Sequence, residues 1–406
     1  MYKLLVLLLI GIKCANSKRV CKTFPDYYNV FSKDCYDSPY LKMSEAEIIR
    51  SWGFTAEEYD VVTEDGYILN LVRGYANKTK KHAVVVGHGF ASNGYQIIFK
   101  GTTSLAYVLG KSGYEFWIPN YRGSKFSRGH TYLSDKNESY WDFSFHEMAI
   151  YDLPATLNKV TEITKTEKSI YIGISMGTTI SYIFATKKPD IAEKKLTRIV
   201  SLAPIAYLGD IKSFLKYAAP FDWLLKRIPY LINNHGEFVP LLKLGFQNYV
   251  CSYTPLQMLS CEIALDFASG FNFGNIDPSV GPLIPGLNFD STSVRVPLHF
   301  SQMMKSGRFA EYDYGKKKNL RIYGTEKPPV YDFKSVTVPV TLFAGAKDWL
   351  GVKKAAGRIY GELNPGVQCG LTVVPGYTHF DFIRAKNVEK YFFPSLISSI
   401  DNECTK

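Results

Sequence analysis

Short apolar runs alternate along the chain with longer stretches of helical period. Residues 61–76 predict two short strands around a turn at Glu64-Asp65-Gly66. Residues 83–86 are apolar and β-branched, as in a buried strand, and end at Gly87-His88-Gly89. Residues 115–118 form the next such run, followed by Asn120-Tyr121-Arg122-Gly123. Helical periodicity then covers about 146–160, and 169–174 is strand-like again. Residues 198–202 are another apolar run, ended by Pro204, and 338–344 and 371–374 are two more. Strands alternating with helices predict an α/β fold with a mostly parallel central sheet and helices on both faces.

Between 207 and 325 the alternation breaks down. Aromatic residues, Pro and Gly dominate, with Phe214, Tyr217, Phe221, Trp223, Phe238 and Phe271 among them. An inserted, mainly helical cap is expected there, over the carboxyl ends of the strands where open α/β sheets bind ligands. An ordinary packed subdomain would also use aromatics, so composition alone leaves both readings open. The expected division is a leader at 1–17, a core in two parts at 18–206 and 326–406, and the cap at 207–325.

The leader is read from Lys3, the apolar stretch 4–12 and the small residues Ala15-Asn16-Ser17 at cleavage-site spacing. The apolar stretch is too short to span a bilayer, and no later run is long enough, so the mature chain is expected to be soluble and exported. Of seven cysteines, six remain after Cys14 leaves with the leader: Cys21, Cys35, Cys251, Cys261, Cys369 and Cys404. An even number in an exported chain points to disulfides, although the connectivity stays open. Cys251 with Cys261 is the local candidate, because it closes a small loop. Asn77-Lys78-Thr79 and Asn137-Glu138-Ser139 are glycan acceptor triplets, at Asn77 and Asn137. No cysteine pair has zinc spacing, so no metal site is expected.

With 46% hydrophobic residues, the 406-residue chain has ample material for a core, which excludes disorder. The net charge of +11 falls by two when Lys3 and Lys13 leave. No nucleic-acid motif accompanies it, and Lys316-Lys317-Lys318 reads as a solvated loop. The charge gives a modest bias toward anionic interfaces.

The chemistry centres on Gly173-Ile174-Ser175-Met176-Gly177, which lies between a strand run and the helical run 178–185. A serine on a sharp strand-to-helix turn with glycine on both sides is the nucleophile elbow of α/β-hydrolases. Serine needs a base, and the base needs an orienting acid. In this arrangement they follow in the order Ser, Asp or Glu, His. His235, His299 and His379 follow Ser175, and the first two fall in the cap segment. His379 follows the last expected strand, and Asp348 follows the strand at 338–344, so Ser175, Asp348 and His379 are the expected triad. Asp381 comes after the histidine and is read as structural. The developing oxyanion needs N–H donors, and the backbone amides of Met176 and Phe90 are the candidates. His88 precedes the serine and is read as shaping its loop. This chemistry requires no cofactor.

The chain resembles the acid lipases of the gastric and lysosomal type, including their insect relatives. The resemblance rests on Ser51-Trp52-Gly53-Phe54, Thr63-Glu64-Asp65-Gly66-Tyr67, Gly87-His88-Gly89 and Asn120-Tyr121-Arg122-Gly123. It continues through Trp141-Asp142-Phe143-Ser144, Tyr151-Asp152-Leu153-Pro154-Ala155, Tyr312-Asp313-Tyr314-Gly315, Pro328-Pro329-Val330-Tyr331 and His379-Phe380-Asp381-Phe382. It implies a capped α/β-hydrolase that cleaves triacylglycerols or sterol esters, with the nucleophile on Ser175, the acid on Asp348 and the base on His379. It also implies a cap disulfide between Cys251 and Cys261. Ile174 and Met176 stand where the family usually has His and Gln, and Phe90 replaces a usual leucine. Those departures bear on substrate size and pH profile rather than on reaction type.

The expected function is a serine esterase, secreted or lysosomal, acting on lipid esters at a lipid–water interface, with no nucleic-acid partner. Two alternatives remain at this point: an esterase for small soluble esters, and a lipid carrier with an inert hydrolase fold.

Overall fold

The structure, a computed structural model, describes residues 19–29, 31–76, 82–224, 227, 235–238, 263–283, 290–402 and 404. Among them the strands begin with β1 (Arg19–Cys21), β2 (Cys35–Asp37), β3 (Thr55–Val62), β4 (Tyr67–Tyr75), β5 (Ala83–Gly87) and β6 (Glu115–Pro119). They continue with β7 (Gly129–His130), β8 (Ser169–Ile174), β9 (Leu196–Leu202), β10 (Glu237–Phe238), β11 (Thr292–Ser293), β12 (Val340–Gly345) and β13 (Gln368–Val374). The helices used below are α1 (Glu45–Ser51), α2 (Tyr95–Ile98), α3 (Leu105–Lys111), α4 (Leu153–Thr164), α5 (Met176–Lys187) and α6 (Pro189–Lys195). After them come α7 (Leu215–Ala218), α8 (Arg295–Ser306), α9 (Lys316–Tyr323), α10 (Lys353–Glu362) and α11 (Phe393–Asp401).

The expected parallel sheet is present. Its order is β13-β12-β9-β8-β5-β6-β4-β3, with β7 paired to β4. Pairing is parallel from β13 to β6, and antiparallel where β4 joins β6, β3 and β7. β5, β6 and β8 are buried at every position, which explains their unbroken apolar runs. Alternate side chains enter opposite layers, as the strand period requires. Val84 and Val86 pack with Ile49 of α1, Leu109 of α3 and Leu396 of α11. Val85 packs on the other face with Leu157 of α4, Ile180 of α5 and Ile359 of α10.

The first expected strand begins earlier than its apolar run, at Thr55, because Glu57, Glu58 and Asp60 of β3 lie on the outer edge of the sheet. The segment between β9 and β12 leaves the sheet and carries α7, the small β10–β11 pair, α8 and α9.

One local reading is corrected. Lys316-Lys317-Lys318 is not a loop but the first turn of α9. Three lysines oppose the helix dipole there, and Asn319 supplies the anchor. Its Oδ1 accepts from the Tyr314 N–H at 3.0 Å, and its Nδ2 donates to Asp313 Oδ1 and to the Glu326 carbonyl at 2.8 Å.

Among the described residues two disulfides are seen. Cys21–Cys35 joins β1 to β2, and Cys369–Cys404 ties β13 to the C-terminal segment. Cys251 and Cys261 lie outside the described residues.

Candidate active site

The turn between β8 and α5 holds Ser175 at φ 52° and ψ −114°, a strained conformation for a residue with a side chain. The flanking glycines make room for it. A Cβ on Gly173 would lie 2.7 Å from the backbone of Gly177 and Thr178, and one on Gly177 would lie 2.4 Å from the Gly87 carbonyl oxygen. The turn is tied from both sides. The Ser175 N–H donates to the Leu202 carbonyl at 3.0 Å, and the Thr178 hydroxyl donates to the Ser175 carbonyl at 2.6 Å.

Three remote side chains meet at this turn. His379 Nε2 lies 2.8 Å from Ser175 Oγ, and His379 Nδ1 lies 2.8 Å from Asp348 Oδ2. Asp348 follows β12 and is buried, its other oxygen accepting from the Leu350 and Gly351 N–H groups at 2.8 Å each. That grip fixes the carboxylate, which in turn fixes the ring of His379. Asp381 stands behind the loop, where its Oδ2 accepts from the Thr378 N–H at 2.8 Å and from Asn275 Nδ2 at 3.0 Å. It braces the histidine loop and does not meet the serine.

The two amides expected to face an oxyanion also lie at this end of the sheet. Met176 is the first residue of α5, so its N–H has no intrahelical acceptor. Phe90 follows the β5 loop and, with Ser175, lines the same cavity. The loop is close to the nucleophile, since a Cβ on Gly89 would sit 3.6 Å from Ser175 Cβ. His88 shapes this loop. Its Nε2 accepts from the Tyr121 N–H at 3.2 Å, which leaves Nδ1 to donate to the Gly89 carbonyl at 2.9 Å. Burial lowers its pKa to about 4, which keeps this neutral tautomer in place.

Of the remaining histidines after Ser175, His299 is committed elsewhere. His299 is fully buried, stacks 4.1 Å from Phe145 and donates from Nε2 to the Ala310 carbonyl at 2.9 Å. Burial lowers its pKa to about 3. His235 lies in the turn before β10. Asn137 is exposed just ahead of the helical turn Glu138–Trp141, while Asn77 lies outside the described residues.

A cavity of about 480 Å³ opens in front of Ser175. Its wall is almost wholly apolar and includes Leu215, Phe221, Phe238, Phe300 and Met304, all from the segment between β9 and β12. Such a space suits an aliphatic chain. With Ser175 in its wall, and an imidazole and a buried carboxylate in line behind that serine, the arrangement can transfer an acyl group.

Other motif residues prove to be structural. Arg122 is buried, donates to Asp65 at 2.6 and 2.8 Å and to Asp152 at 2.8 Å, and lies 3.9 Å above the Tyr67 ring. It brackets the loop after β6. Gln96, Asn93 and Asp290, to which the sequence assigned no role, form with Asn120 a polar network under the β5 loop. No local pattern marks the Asn93–Asp290 pair, because its members are 197 residues apart.

Residues 82–385 match the family described as alpha/beta hydrolase fold, and residues 46–99 match a partial alpha/beta-hydrolase lipase region. The chain is 33% identical to gastric triacylglycerol lipase of Mus musculus, over 93% of this chain and 97% of that one. It is 35% identical to lysosomal acid lipase/cholesteryl ester hydrolase of Homo sapiens, over 85% and 87%. Among solved structures, a soluble variant of Saccharomyces cerevisiae monoglyceride lipase matches with a TM-score of 0.51 at 15% identity, covering 86% of this chain and 97% of that one. That likeness bears on the fold.

Proposed function

We propose that this chain, which belongs to the gastric and lysosomal acid lipases of the α/β-hydrolase fold, hydrolyses neutral lipid esters through an acyl-enzyme on Ser175. The observation that carries this reading is the unbroken hydrogen-bonded line Ser175–His379–Asp348, whose serine end opens on an apolar cavity.

Ser175 Oγ attacks the ester carbonyl while His379 Nε2 takes the hydroxyl proton. The oxygen that becomes negative faces the Phe90 and Met176 amides and the positive end of α5. The tetrahedral species collapses by breaking the bond to the alcohol oxygen, which receives the proton from His379. Water then attacks the acyl carbon by the same route in reverse, releasing the carboxylic acid and returning the proton to Ser175. Asp348 holds the Nδ1–H and stabilises the imidazolium formed in each half-reaction.

The same reading makes 207–325 a cap over a core at 18–206 and 326–406, supported by the origin of the cavity wall. Exposed Phe214, Tyr217, Trp223, Phe267 and Phe273 give this part of the chain an aromatic surface suited to a lipid–water interface. Among the described residues no helix is long and apolar enough to cross a membrane. A leader at 1–17 would send the chain along the export route, to a secreted or lysosomal destination, with glycans at Asn77 and Asn137. The two disulfides fit an oxidising compartment.

The test is hydrolysis of emulsified triacylglycerol and sterol ester against a short soluble ester, with wild type and Ser175→Ala. The proposal expects activity that rises when substrate passes from monomer to emulsion, and its loss in the variant. Equal activity on monomer and emulsion would assign small soluble esters. Undiminished activity in the variant would remove Ser175 from the mechanism.

A further inference from the structure

The β5 loop that carries Phe90 is held by polar groups from the adjoining α2 and from two remote segments. Gln96 on α2 is buried, and its Oε1 accepts the Gly89 N–H at 2.6 Å. Asp290, within the segment 207–325 and just ahead of β11, accepts from Asn93 Nδ2 at 2.8 Å and from the Lys125 N–H at 2.9 Å, and its own N–H donates to the Ala91 carbonyl at 2.8 Å. Asn120, after β6, accepts the Gly94 N–H at 2.8 Å.

These ties divide the loop. Asp290 and Asn120 hold residues 91–94, where Ala91 sits in the left-handed region at φ 48° and needs external support. The stretch before Phe90 is gripped by Gln96 at the Gly89 N–H and by His88 at the Gly89 carbonyl. The Gly89 amide would otherwise be a second donor turned toward the cavity or toward water. Gln96 takes it and so sets the His88–Gly89 peptide plane, while His88 Nδ1 holds the Gly89 carbonyl, and the amide that follows, that of Phe90, is the one presented beside Ser175. The side chain is close enough for this, since a Cβ on Gly89 would lie 3.3 Å from Gln96 Nε2 and 3.6 Å from Ser175 Cβ.

We propose that Gln96 is a positioning residue of the oxyanion site: its carbonyl anchors the His88–Gly89 peptide, and with His88 Nδ1 on the Gly89 carbonyl this pins Gly89 from both sides, so that the Phe90 N–H points at the developing negative charge. This inference rests on the acyl-enzyme reading above. Gln96 touches neither the substrate nor the serine hydroxyl and acts through Phe90. Because Asp290 and Asn120 keep the rest of the loop in place, losing the Gln96 contact should misalign one donor and leave the fold intact.

The experiment compares wild type, Gln96→Met and Gln96→Glu in full-length protein. The readouts are kcat, KM and the rate of Ser175 phosphonylation by a long-chain alkyl phosphonate, with thermal unfolding as the check on folding. Gln96→Met keeps the size and removes the acceptor. It should lower kcat and the phosphonylation rate by about 10- to 100-fold while KM stays close to wild type. Gln96→Glu keeps an acceptor. Protonated, it should act like wild type, and as its carboxyl ionises next to the oxyanion site kcat should fall, adding a limb to the pH profile that wild type lacks. If Gln96→Met does not accumulate as folded protein, the pH profile of Gln96→Glu decides alone. A folded Gln96→Met with wild-type phosphonylation, or a Gln96→Glu profile that overlays wild type, overturns the inference. Failure of wild type to react with the phosphonate would instead sink the acyl-enzyme reading itself.

Discussion

His379 Nε2 lies 2.8 Å from Ser175 Oγ across a separation of 204 residues. Strand order makes this possible. Ser175 follows β8, Asp348 follows β12 and His379 follows β13, and in the sheet these strands are separated only by β9. Parallel pairing puts their carboxyl ends on one rim, so three short loops suffice to bring the groups together.

Asp348→Asn tests the role of the carboxylate in this line. The amide can still accept the Leu350 and Gly351 N–H groups, so the loop should keep its shape. It can also donate to His379 and trap the wrong tautomer. The expected result is a fall in kcat of about 10⁴-fold with little change in thermal unfolding, read from steady-state kinetics and calorimetry.

Phe90→Leu tests the cavity wall. The Phe90 ring lies 5.6 Å from that of Phe238 and 5.8 Å from that of Phe300, so it fills space beside the serine. The shorter side chain keeps the backbone N–H and enlarges the cavity. The preference for long over short acyl chains should rise by about tenfold, measured as the ratio of kcat/KM across an ester series.

Gly177→Ala tests the packing of the elbow. Its Cβ would meet the Gly87 carbonyl oxygen at 2.4 Å and the His88 carbonyl oxygen at 3.1 Å, and backbone atoms cannot step aside cheaply. The variant should lose about 1–3 kcal/mol of stability and most of its activity, because α5 is pushed off β5. Gly357→Ala is the control. It lies inside α10 with nothing within 4 Å of its Cβ position, and should gain about 0.5–1 kcal/mol.

Glu45→Gln tests a pH dependence. Glu45 on α1 is buried under the β5 loop, its Oε2 accepting from Asn120 Nδ2 at 3.0 Å. Burial raises its pKa from 4.5 to about 8. The folded value lies above the unfolded one, so its contribution to stability is complete below pH 4.5 and is lost as the pH rises through 8. His88 and His299 have the opposite sign. Burial lowers them from 6.5 to about 4 and about 3, so their contribution is present above pH 6.5 and lost as the pH falls through those values. The glutamine variant should therefore flatten the decline in unfolding temperature between pH 5 and pH 8 and leave the acid limb unchanged, as denaturation followed across pH will report.

The sequence carried the sheet because β5, β6 and β8 are buried on both faces and are apolar apart from Glu115 and Ser169 at their starts. It pointed to Ser175, Asp348 and His379 because the elbow is a local pattern and the order of the other two follows from strand order. It did not carry the pairs Cys21–Cys35 and Cys369–Cys404, since cysteine positions alone leave the connectivity open. Lys316-Lys317-Lys318 misled because helix propensity gives no hint of the Asn319 anchor. The network under the β5 loop was invisible for a similar reason. Asn93 and Asp290 are 197 residues apart, and each looks like an ordinary polar loop residue where it stands in the chain.

The most direct measurement is the mass of the elbow peptide after wild-type protein reacts with an alkyl phosphonate that carries a good leaving group. The account predicts one adduct, on Ser175, with the rate of labelling and the loss of ester hydrolysis following the same time course, and no adduct in His379→Ala over that time. Hydrolysis that continues undiminished after Ser175 is fully labelled, or an unlabelled Ser175 in protein that still hydrolyses esters, would contradict it.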